Sequence, residues 1–232
     1  MGKTTLISQL IAKLKVDYIF ESADAVAASD SVWINALWDK ARVKVKAENL
    51  NELLLIIDEI QTGFGRTGSF WAFEQFGIYP DVITSAKGMG GGMPIGAFIA
   101  NKDLMGAFKN NPLLGHITTF GGHPVSAAAS LATIKVIQEE KLLEQVETKA
   151  NLFKKLLVHP KIRSIRNKGL MMAVEFESFE VLKPIIDRAI ENGVITDWRE
   201  PNVIRLAPAP FYCSFEDMYE FGHILKKGLS KP

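Results

Sequence analysis

Five large aliphatic residues in a row, Leu53-Leu-Leu-Ile-Ile57, closed by Asp58-Glu59, constrain this chain more than any other feature. A run with no polar alternation suits a strand covered on both faces, as in a parallel sheet, rather than a half-exposed one. Two shorter apolar runs follow, Asp81-Val-Ile-Thr-Ser-Ala86 and Ile95-Gly-Ala-Phe-Ile-Ala100, and glycine-rich loops lie between them. Strands of this kind need helices on both faces, so the pattern predicts an α/β fold.

The flanking sequence supplies the helices. Pro124 opens a predicted helix to about Glu140, with Ala127, Leu131, Ile134 and Ile137 on one face, since proline is tolerated in the first turn. A helix over 142–157, a strand over 169–176 and a helix over 181–191 follow, the last stopped by Asn192-Gly193 as a C-terminal cap. Two short strands, 194–196 and 203–206, precede a final helix that Ser214 caps, with Asp217 three residues on in the capping-box position. Upstream, 3–14 and 32–47 read as helices and 18–21 as a strand.

Several classes are disfavoured. With 27 Lys+Arg against 26 Asp+Glu the net charge is +1, so no basic footprint points to nucleic acid or an anionic membrane. The longest stretch without Asp, Glu, Lys or Arg, 110–134, holds two prolines, two histidines, three glycines and five Ser/Thr, which excludes it as a membrane-spanning helix. The first residues, Met-Gly-Lys-Thr-Thr-Leu, soon meet polar Ser8 and Gln9 and make a poor secretory signal. Cys213 is the sole cysteine, which rules out an internal disulfide and a cysteine-based metal cluster; a reducing, cytoplasmic setting is expected.

The chemistry concentrates between Leu53 and Ala100. Asp58 ends one buried run, and Lys87 follows 29 residues later, just after the next run and just before Gly88, Gly90, Gly91 and Gly92. In an open parallel sheet ligands sit at the carboxyl ends of strands, so the two residues should point into one crevice. A carboxylate facing a lysine suits Schiff-base chemistry, and the glycines admit a bulky planar group close to the backbone. Either residue alone has an ordinary reading, as a helix cap or a solvated loop charge.

The full string weighs against that. Asp58-Glu-Ile-Gln61, Gly63-Phe-Gly-Arg-Thr-Gly68, Pro80-Asp81 and Ala86-Lys87-Gly88 followed by Gly91-Gly92-Met-Pro94 closely resemble the signature of class III aminotransferases. These are pyridoxal-phosphate enzymes such as ornithine, acetylornithine and 4-aminobutyrate aminotransferases. The resemblance, over about 53–196, implies a partial fold-type-I transferase: a mostly parallel large-domain core over 53–141 and an α+β small domain over 142–232. It implies that Lys87 carries the cofactor as a Schiff base and moves the proton at the substrate Cα. Asp58 would keep the pyridine nitrogen protonated, making the ring a better electron sink, and Gln61 would bond the phenolic oxygen. A lysine amine, nucleophilic when deprotonated, suits both bonding and proton transfer.

Gly115-His-Ile-Thr-Thr-Phe-Gly-Gly-His-Pro124 is similar to the family segment in which a threonine crosses a homodimer interface to the partner's cofactor phosphate, here Thr119. The family more often has Asn where His123 stands, so His123 receives no ligand role. Asn167-Lys-Gly-Leu-Met-Met-Ala-Val-Glu175 resembles the opening strand of the small domain.

The two ends differ. Gly2-Lys-Thr-Thr-Leu resembles the end of a Walker A loop and 1–59 an AAA-type ATPase, with 53–59 doubling as its Walker B strand. Only the last Gly, Lys and Thr of G-x-x-x-x-G-K-[ST] are present, so an ordinary helix start is favoured over nucleotide binding by Lys3 and Thr4. The family's phosphate cup and ring-stacking aromatic, expected upstream of Leu53, are not found. The end, Asp197-Trp-Arg-Glu-Pro-Asn-Val-Ile-Arg-Leu-Ala-Pro-Ala-Pro-Phe-Tyr-Cys-Ser-Phe-Glu-Asp217, is similar to kynureninases, of the same fold. In both families an arginine of this strand grips the substrate α-carboxylate, which gives Arg205 that role; its ordinary reading is an edge-strand charge. The chain thus reads as a composite, joined at LLLIIDEIQ and at Thr196-Asp-Trp198. The expected activity is transfer of an amino group from an amino donor to a 2-oxo acid. The rivals are a nucleotide-binding ATPase-like fragment and an inactive fold remnant.

Overall fold

The computed structural model describes residues 54–109, 117–199, 201–210 and 213–229. The elements expected over 3–14, 18–21 and 32–47, and with them Lys3 and Thr4, lie outside the described residues. Among the described residues, 54–64 and 71–135 belong to one compact unit, and 65–70 with 136 onward to a second.

In the first unit, β1 (Ile56–Asp58) and β2 (Val82–Ser85) pair in parallel, with Ile56 opposite Val82 and Asp58 opposite Thr84. The run expected as a third parallel strand, β3 (Ala97–Ala100), instead pairs antiparallel with β2, Val82 facing Ala100. The reason lies in the connection. A parallel return needs a crossover of a dozen or more residues, usually helical, whereas 86–96 is a tight glycine-rich reversal. Val82 and Phe108 form the buried centre, with Ile56, Phe98 and Leu104 packed around them and Phe98 edge-on to Phe108 at 5.5 Å. A one-turn helix, α1 (Lys102–Gly106), is capped by Asn101, whose side-chain oxygen accepts the Leu104 N–H at 2.9 Å.

The helix expected from Pro124 forms as α2 (Pro124–Glu139), but its buried face differs. Ser126, Ser130, Thr133 and Ile137 are buried, while Leu131 is 56% exposed and Ala127 is also exposed. The stripe at i, i+4, i+7, i+11 is a proper helical face, but small hydroxyl residues occupy most of it. They leave room for Gly91, where an added Cβ would stand 2.2 Å from Thr133 Oγ1.

In the second unit, four antiparallel strands run in the order β4-β5-β7-β6: β4 (Ile162–Lys168), β5 (Met171–Phe176), β6 (Asp197–Arg199) and β7 (Val203–Leu206). Three helices, α3 (Leu142–Leu156), α4 (Phe179–Glu191) and α5 (Phe215–Leu229), join the sheet in one core around Phe153, Phe176, Leu182, Ile185, Ile204 and Leu225. Strand β4 escapes a pattern search because charged residues break its alternation and a bulge separates Ile162 from Ser164. The strand expected over 194–196 lies instead at Asp197–Arg199, with all three residues exposed, because its register is fixed by pairing with β7. The C-terminal stop at Asn192-Gly193 forms with Gly193 at φ +75°. The Ser214 capping box also forms: the Ser214 N–H donates to Asp217 Oδ2 at 2.7 Å and the Asp217 N–H to Ser214 Oγ at 3.1 Å.

The β4–β5 hairpin turns on Gly169, at φ +54°, where a Cβ would meet the backbone of Thr67 at 2.6 Å and the Arg66 carbonyl at 2.8 Å. Gly193 shares the left-handed conformation but faces open space. Gly169→Ala should therefore cost about 2–4 kcal/mol, strain plus overlap, against about 1 kcal/mol for Gly193→Ala. Paired thermal melts of the two variants measure the difference.

Candidate active site

Asp58 occupies the carboxyl end of β1, exposed, with its Oδ1 accepting the Ile60 N–H at 3.0 Å and the Thr84 hydroxyl at 3.3 Å. Both bonds follow from local sequence. The first is an Asx turn, and the second exists because parallel register sets buried Thr84 directly opposite. Lys87 lies two residues beyond β2, on a single 3₁₀ turn (Lys87–Gly90), and is exposed. Its φ of +47° is the left-handed conformation that a side chain ordinarily avoids, a strain that persists only where surroundings impose it. The expected pair thus shares one sheet edge.

The surroundings are the glycines and Phe64. Gly91 closes the turn at φ +56°, and Gly90 would place a Cβ 3.0 Å from Ile95. Phe64, buried with φ +58°, lies with its Cβ 3.5 Å from where a side chain on Gly88 would begin. Gln61 sits half-buried in the turn after β1, and Thr119 stands exposed on the turn ahead of α2. Arg205 belongs to the second unit, on β7, where its guanidinium is engaged by Asp197 of β6.

Sequence reasoning passed over Glu59. Its side chain is 1% exposed and accepts the Phe73 N–H at 2.9 Å and the Thr62 hydroxyl, so it pins the segment after β1. Burial pushes its carboxyl above the ordinary glutamate value, against the pull of Thr62 and the Phe73 and Ala72 N–H groups. The signal available was the Asp58-Glu59 pair itself, since adjacent strand-end residues point to opposite sides. Arg66 was also missed: it is buried and donates to the Ala207 carbonyl, while its own carbonyl accepts the Leu170 N–H at 2.9 Å. Cys213 is a buried thiol pushed upward mainly by burial, and among the described residues no cluster of His, Cys, Asp or Glu could hold a metal. No described helix is long and apolar enough to cross a membrane.

The donor set suits a planar group bearing an aldehyde and a ring nitrogen. An exposed amine and an exposed, oriented carboxylate stand at the same edge, and the glycine turn keeps side chains away from it. Beside them the Ser85 hydroxyl is buried with no hydrogen-bond partner among the described residues, a polar atom whose burial is otherwise costly.

Comparison with known proteins agrees with this architecture. The family model "Aminotransferase class-III" matches residues 43–229. Acetylornithine aminotransferase from Caldanaerobacter subterraneus subsp. tengcongensis is 38% identical over 186 residues, covering 78% of this chain and 46% of that protein. Acetylornithine aminotransferase from Methanosarcina acetivorans is 44% identical over 158 residues, covering 67% of this chain and 38% of its own length. The solved ornithine aminotransferase of Toxoplasma gondii, described with partial occupancy of PLP at its active site, superposes with a TM-score of 0.67 at 29% identity. It covers 83% of this chain and 46% of that one. The chain belongs to the class III aminotransferase family, with the mixed α/β fold of fold-type-I aminotransferases. It spans less than half the length of these relatives.

Because burial raises the folded-state value of Glu59, its charged form opposes folding. The stability that Glu59 contributes should be fully present below the ordinary glutamate value, about 4.3, and be lost as pH rises through the raised folded value. Glu59→Gln is expected to flatten that slope, measured by thermal melts across the acidic to neutral range.

Proposed function

We propose that this chain carries the lysine-bearing half of a pyridoxal-phosphate aminotransferase site that moves an amino group from an amino donor to a 2-oxo acid. The observation behind this reading is the juxtaposition of Asp58 and Lys87 at the carboxyl edge of two parallel strands, in a chain of this family. When bound, the cofactor supplies an electron sink for the carbanion left at the substrate Cα. Lys87 is the amine that holds its aldehyde carbon and the base that takes and returns the Cα proton. Asp58, steadied by Ile60 and Thr84, is the carboxylate that favours a protonated ring nitrogen. Gln61 is assigned to the phenolic oxygen and Arg205 to the substrate carboxylate, for which a guanidinium fork is suited.

Thr119, exposed on its turn, is assigned to the cofactor phosphate of a second copy, so the working form in this reading is a homodimer. An acetylornithine- or ornithine-type donor is favoured by the names of the relatives. A large-domain part over 53–141 and a small domain over 142–232 fit the two compact units in outline. Residues 1–42 fall outside the family match, in keeping with an ATPase-like first segment over 1–52. The kynureninase-like character of 196–229 rests on the run from Asp197 to Asp217. The lone buried thiol favours a cytoplasmic setting.

Protein purified with pyridoxal phosphate is expected to be yellow, and borohydride reduction should fix the label on the Lys87 peptide, read by mass spectrometry. Lys87→Ala should remove both colour and label, and Asp58→Asn should change the colour while keeping the label. A colourless, unlabelled wild-type protein overturns the reading.

A further inference from the structure

The edge of the second sheet holds an arrangement that the carboxylate-binding role of Arg205 does not explain by itself. Arg205 lies on β7 between β5 and β6, and the register sets Ala173 opposite it on one side and Asp197 on the other. Of these two only Asp197 carries a side-chain acceptor. Its Oδ2 accepts both Nε, at 2.9 Å, and Nη2 of Arg205, while its Oδ1 accepts Nη1 of Arg199 at 2.6 Å. Asp197 and Arg199, two apart on one strand, project to the same side of the sheet. One carboxylate thus stands between two guanidinium groups and leaves the trio with a net positive charge.

The division of donors matters. A guanidinium presents five N–H groups in a rigid plane, and a carboxylate can take the side-on pair from Nε and one Nη, or the end-on pair from the two Nη atoms. Asp197 occupies the side-on pair through a single oxygen, so the end-on pair remains for a second carboxylate, with no partner among the described residues. The Arg205 side chain is only 18% exposed, so its plane is held rather than free to swing. Sharing Asp197 with Arg199 keeps that aspartate from cancelling the charge of Arg205.

We propose that Asp197 is the positioning residue for Arg205: it fixes the guanidinium plane side-on so that the end-on N–H pair meets the substrate carboxylate, with Arg199 balancing its charge. This rests on the carboxylate-binding role proposed above for Arg205. Asp197 is 45% exposed on an edge strand, so replacing it leaves the core untouched.

The test uses the full chain and glutarate, an unreactive dicarboxylate, followed by titration calorimetry on wild type, Asp197→Asn, Asp197→Glu, Arg205→Lys and the Asp197→Asn/Arg205→Lys double variant. Asp197→Asn should weaken binding about tenfold, the scale of one charge-assisted hydrogen bond. Asp197→Glu should recover part of the loss, and the double variant should bind no more weakly than Arg205→Lys alone, a coupling that general loosening of the fold would not produce. If Arg205→Lys weakens binding and Asp197→Asn leaves it unchanged or tightens it, the positioning role is overturned and the Arg205 role stands. If wild type and Arg205→Lys behave alike, the Arg205 role fails and this proposal fails with it.

Discussion

The parallel pairing of β1 with β2 is the constraint on which the candidate site depends. It brings residues 29 apart in sequence to one edge, since both strands end on the same side. The pairing is reinforced at both ends: the Leu55 N–H donates to Asp81 Oδ2 at 2.8 Å, and the Glu59 N–H donates to the Thr84 carbonyl at 2.8 Å. Thr84 therefore serves twice, its carbonyl closing the ladder and its hydroxyl steadying Asp58. Without that register the aspartate would be an exposed strand-end charge and the lysine an exposed loop charge.

Around this edge the glycine turn and α2 are fitted to each other. The turn bends sharply enough to require left-handed backbone at Lys87 and Gly91, and it approaches α2 so closely that Gly91 could carry no side chain. Small hydroxyl residues on the facing side of α2 accommodate this, with Thr133 returning its hydroxyl to the Ala129 carbonyl at 2.9 Å. On the other side, buried Glu59 ties Thr62 and Phe73 together, and Phe64 lies beside Gly88. The uncommon backbone of Lys87 thus sits in a turn that glycine makes accessible, with Phe64 close to Gly88.

The second unit solves a different problem. Three helices pack against its sheet to bury Phe153, Phe176 and Ile204, and the edge strand β6 is left with no buried residue. Charged residues blunt an exposed edge, and here the same charges make the Asp197 link between Arg199 and Arg205. The ion pair between exposed Arg199 and Asp197 adds little stability, so its interest lies in orientation.

The sequence alone determined the elements whose signals are local. Apolar runs, caps such as Ser214 with Asp217, and the stop at Asn192-Gly193 are each written in a few neighbouring residues, and so is the motif string around Asp58 and Lys87. What only the tertiary structure decided depends on partners distant in sequence. The antiparallel turn of β3 follows from a connection too tight for a crossover, and the polar buried face of α2 from the approach of Gly91. The charge-broken β4 is a strand because β5 pairs with it, and the burial of Glu59 follows from packing against residues up to 14 positions away. The Asp197–Arg205 pairing likewise needed the β6–β7 register, since no local pattern states which residue a strand will face across a sheet.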